Sequence, residues 1–75
     1  MRVYVTEQHP GPLTHIIFAS VHSEIDAEQV AAHVSVRDVG EARVAEELAN
    51  RLCAKSPTLD RALLEDLIAQ QVGRF

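Results

Sequence analysis

Seventy-five residues, 47% of them hydrophobic and 24% charged, describe a folded chain and not a disordered one. Eleven acidic against seven basic side chains leave a net charge of −4, which weighs against bulk electrostatic attraction to nucleic acid or an anionic membrane. Residues 1–75 are expected to form one domain, which at this size buries only about 60% of its unfolded surface and is marginal unless it oligomerises.

The first element is residues 2–6, RVYVT, whose β-branched and aromatic side chains predict a strand. His9-Pro10-Gly11-Pro12 follows. Proline lacks an N–H and fixes φ, so this stretch predicts a turn. Residues 13–22, LTHIIFASVH, then predict a second strand antiparallel to the first. Alternation sends Leu13, Ile17, Ala19 and Val21 to one face and Ile16 and Phe18 to the other. The remaining chain is too short to cover both faces, and an uncovered apolar sheet face implies a partner or a second copy.

Residues 23–37 carry two patterns. Ser23-x-x-Asp26 and Asp26-x-x-Gln29, with a stripe of Ala27, Val30, Ala31 and Val34, predict a helix. Val30, Ala32, Val34 and Val36, alternating with Ala31, His33, Ser35 and Arg37, predict a strand. Asp38-x-x-Glu41 is itself a capping box and opens a helix over about 39–55, leaving no room to end a preceding helix. A strand at about 30–37 is therefore preferred. Ser56-Pro57 predicts the start of a second helix running to about 72, with Leu59, Leu63, Leu64, Leu67, Ile68 and Val72 on its apolar side and Gly73 as its stop. The fold class expected is α+β: a small three-stranded antiparallel sheet followed by two helices packed on one face, β-β-β-α-α. The alternative is a β-hairpin followed by three helices.

Chemistry-bearing residues are scattered. His15 and His22 are seven apart on one strand and so on opposite faces. His9 falls in the turn, His33 in the third element and Cys53 on the apolar side of a helix, so no pair has the spacing of a metal site. Ser20 and His22 share a strand face, but nothing identifies an acid partner, and Gly11, Gly40 and Gly73 are too isolated to cradle a phosphate. No catalytic residue, metal or cofactor is expected. The single cysteine cannot form an internal disulfide, and no charged-then-apolar leader opens the chain, so the expected location is cytoplasmic.

Tyr4, Gly11-Pro12, His15 and Phe18, ahead of a β-hairpin and an Ala-rich helix, resemble the double-stranded-RNA-binding domain over roughly Tyr4 to Leu52. That resemblance implies a loop histidine reaching into an RNA minor groove and a basic helix opening on the phosphates. Here the loop is one residue longer, and the helix opening reads Val39-Gly40-Glu41-Ala42-Arg43, with a single basic residue. In size, acidity and architecture the chain is also similar to phage-encoded inhibitors of bacterial defence complexes, including anti-CRISPR proteins, which would imply blocking a host complex by contact.

The leading expectation is a non-enzymatic protein-binding module and homodimer. Its contact surface is Tyr4, Ile16 and Phe18, with Glu24, Asp26 and Glu28 as an acidic ridge. The alternatives are a degenerate nucleic-acid-binding domain using His15, Arg37, Arg43 and Arg51, and a small helix-turn-helix regulator built on the helical pattern of 26–37.

Overall fold

Valines alternate from Val3 to Val5, and Val30, Ala32 and Val34 put an apolar side chain at every second position of a third segment; these segments become strands. In a computed structural model, which describes residues 1–24 and 28–75, β1 (Arg2–Gly11), β2 (Thr14–His22) and β3 (Gln29–Ser35) form one antiparallel sheet in the order β1-β2-β3. The cross-strand rows Val3–Val21–Val30 and Val5–Ala19–Ala32 set the register, and Ile17–Val34 extends it. Every apolar side chain in these rows finds a neighbour of its own kind, which is why residues 29–35 are strand and not helix. The α+β fold expected from alternation is the one observed. The helix-turn-helix alternative fails, because its first helix would occupy the residues of β3.

The first turn lies further along than expected. β1 continues through His9 and Pro10, and Gly11 pairs with Thr14 across Pro12-Leu13. Pro10 is tolerated because β1 is an edge strand, where a missing N–H costs no ladder bond, and a register shift between Gln8 and Gly11 absorbs it. Leu13, expected on the apolar face, sits in the turn and is 77% exposed.

The helices also begin later than expected. Asp38 does not open a long helix. A four-residue α1 (Val36–Val39) contains it, and Gly40 at φ +86° ends that turn. A 3₁₀ turn over Glu41–Arg43 follows, and then α2 (Val44–Lys55). Ser56 closes α2, its N–H donating to the Leu52 carbonyl at 2.9 Å, and does not start the next helix. That helix, α3 (Arg61–Val72), is capped by Asp60, whose carboxylate accepts from the Leu63 N–H at 3.2 Å.

The core lies between the sheet and α2/α3. Ile17, Val21 and Val34 meet Leu48, Leu52, Leu64 and Ile68, all at 2% exposure or less. Cys53 is partly buried beside them, and Leu63, expected on the apolar side, is 48% exposed. Among the described residues, no helix is long and apolar enough to cross a membrane.

Candidate interaction face and histidine cluster

Because strand side chains alternate, the face opposite the helices is defined by the same register as the core. It carries the rows Tyr4–Ser20–Ala31, Thr6–Phe18–His33 and Gln8–Ile16–Ser35. Tyr4 is 50% exposed, whereas Ile16 and Phe18 are half-buried by their strand neighbours and belong to no part of the helix-side core. The rings pack across strands, with Phe18 and His33 tilted at 5.2 Å between centroids and Tyr4 and His22 edge to face at 5.2 Å. The three inner rows contain no Asp, Glu, Lys or Arg.

At one end of this face Arg2 pairs with Glu24 at 3.3 Å. The Tyr4 hydroxyl first, and Glu24 second, hold the Arg2 guanidinium above its ordinary value. Glu24 and Glu28, two members of the expected acidic ridge, are exposed, and the Ser23 N–H donates to the Glu28 carbonyl at 2.9 Å. Asp26 lies outside the described residues.

Both free edges of the sheet are occupied in part by helix side chains. On β1, the Gln71 amide donates to the Val3 carbonyl at 2.8 Å and accepts from the Val5 N–H at 3.2 Å, standing in for a fourth strand. On β3, Arg51 donates to the His33 carbonyl at 2.7 Å, and Lys55 donates to the Ala31 carbonyl. Such caps work against edge-to-edge pairing with another chain.

The residues of the nucleic-acid alternative are largely committed elsewhere. Arg43 pairs with Glu46 at 3.4 Å, and Arg51 with Glu47 at 3.1 Å besides its β3 contact. His15 lies on β2, not in a loop, and donates to Glu7 at 2.7 Å. Arg37 is exposed on α1. Phosphate binding by three of the four would require these partners to be exchanged.

Toward the turn end of the hairpin, from the Glu7–Ile17–Val34 row outward, a cluster appears that spacing along the chain did not disclose. Glu7, His9 and His15 each place one ligand atom within 4.8 Å of the others. The His9 and His15 rings stack with centroids 4.3 Å apart and planes 17° from parallel. His9 Nε2 is 3.6 Å from the Glu7 Oε2 that His15 also faces.

No protein-family model, curated protein or solved structure matches this chain.

Of the expected contact residues, Tyr4, Ile16 and Phe18 lie together on the open face, with Glu24 at its end beside Arg2. The expectation that no histidine pair has ligand spacing is corrected by the hairpin. It rested on placing His9 in a turn, whereas His9 is on β1, two residues from Glu7 and across from His15. The available signal was Glu7-x-His9 on a strand that must fold back at Pro12-Leu13, which brings His15 alongside.

Proposed function

We propose that the protein is a non-enzymatic protein-binding module that self-associates through the open face of its sheet. The observation that carries this reading is the alignment of Tyr4, Ile16 and Phe18 on the face away from the helices. The inner rows hold no Asp, Glu, Lys or Arg to repel a second copy, and the Arg2 at the end of the face is paired with Glu24. The Gln71, Arg51 and Lys55 caps favour face-to-face over edge-to-edge contact.

The size of the face sets the expected strength. Strands rising about 3.3 Å per residue and spaced about 4.8 Å apart give an outline of roughly 400 Å² for strands of this length. Standard interfaces bury about 800 Å² per partner. Completing the burial of three half-exposed side chains contributes a few kcal/mol, against an association cost of at least about 4 kcal/mol. The dimer is therefore a weak one that dissociates on dilution. Light scattering over a dilution series should give a dimer at high micromolar concentration, with Phe18→Glu raising the dissociation constant about thirtyfold or more. A monomer at high micromolar concentration contradicts the reading.

A further inference from the structure

We propose that Glu7, His9 and His15 form a binding site for a zinc-class divalent transition-metal ion, bridging β1 and β2 at the end of the hairpin. The site is separate from the interaction face, because Glu7 and His15 lie on the helix side of the sheet, beside a cavity that Val44 of α2 and Val72 of α3 also line.

The donor geometry is close to what such an ion requires. Zinc binds imidazole nitrogen and carboxylate oxygen at about 2.0–2.2 Å, so ligand atoms in a tetrahedral site stand roughly 3.3 Å apart. Here the two Nε2 atoms lie 2.7 Å and 3.6 Å from one oxygen of Glu7, and all three donors fall within 4.8 Å. The His15 N–H already satisfies Glu7, whereas His9 Nε2 is too far for a hydrogen bond. Two imidazoles and a carboxylate thus converge with one hydrogen bond among them, and a cation would be shared by all three.

The donor set selects the class of ion. Calcium and magnesium are held by oxygen, and a single carboxylate beside two imidazoles does not provide for them. Nitrogen-rich sites suit zinc, nickel and copper. Cys53, on α2, is not among the clustered groups. Two of the three ligands, Glu7 and His15, also line a cavity of about 100 Å³ together with Ile17, Glu41 and Phe75 among others. Because the ligands come from two strands, the ion would fasten β1 to β2 from the Glu7–Ile17 pair outward, toward the end of the hairpin where β3 pairing stops.

The test is calorimetric titration of the chelator-stripped full chain with zinc chloride, and with magnesium chloride as control. One zinc per chain, no magnesium response and a melting temperature raised by about 5 °C or more at saturation are expected. His9→Ala changes an exposed side chain, and Glu7→Gln keeps the shape of the carboxylate. With circular dichroism unchanged, each should weaken zinc binding at least about tenfold. Phe18→Glu should leave it intact, so failure of the dimer reading and failure of this one are distinguishable. No zinc binding, undiminished binding in His9→Ala, an equal magnesium response, or loss of binding in Cys53→Ser would each overturn the proposal.

Discussion

Ile16 and Ile17 are adjacent and chemically identical, and they lie on opposite faces of the same strand. Ile17 is 1% exposed and packs in the core; Ile16 faces away from the helices, in the row with Gln8 and Ser35. The two faces differ in size of residue as well as in fate. The helix side is built of Val, Ala and Ile, whose compact side chains let α2 and α3 approach the sheet closely. The other side carries Tyr4, Phe18, His22 and His33 in cross-strand ring contacts. Large amphipathic rings on a face with no helix over it suit a surface that is alternately wet and covered. One face holds the monomer together, and the other is free to hold something else.

The sharpest way to break that contrast is to truncate the two isoleucines separately. Ile17→Ala should lower stability by about 2–4 kcal/mol in urea denaturation, because it leaves a cavity under the helices. Ile16→Ala should cost the monomer less than about 1 kcal/mol and act mainly on self-association. Comparable losses of monomer stability would mean that the open face is part of the folding core. Next in size is Gln71→Ala, which removes both caps from β1 and should cost about 1–2 kcal/mol, with faster amide exchange at Val5. It also probes the edge: if self-association strengthens in this variant, the edge and not the face is the contact. The smallest effect is expected from Gly40→Ala. Space for a Cβ is open there, but the φ of +86° disfavours any other residue. A loss of about 1 kcal/mol, read from the denaturation midpoint, should leave association untouched.

Alternation carried most of the fold. It placed Ile16 and Phe18 opposite Ile17, Ala19 and Val21, and it offered the strand over 30–37 that the Asp38 box then favoured over a helix, of which residues through Ser35 are observed as β3. What it could not supply was context for the breakers. Pro10 reads as a stop, yet an edge strand with a bulge accommodates it, so β1 runs to Gly11. Ser56-Pro57 reads as a helix start, yet Asp60 makes the cap, and an acidic side chain just before the apolar run Leu63-Leu64 was a signal available for it. Asp38 reads as a cap, yet the isolated Gly40 two residues on ends its turn. The hairpin cluster lay out of reach for a different reason. Its members are close only through cross-strand register, which depends on where the turn falls, and a displacement of the turn moved His9 from a loop onto a strand.

The central claim, that copies of this chain meet through the open face, is tested most directly by isotope-filtered NMR on an equimolar mixture of labelled and unlabelled protein. Contacts between chains should appear from the rings of Phe18 and Tyr4 to Ile16 and Ala31, and should vanish in Phe18→Glu. Inter-chain contacts arising instead from α2, α3 or the β1 edge, or none under conditions where light scattering gives a dimer, would contradict it.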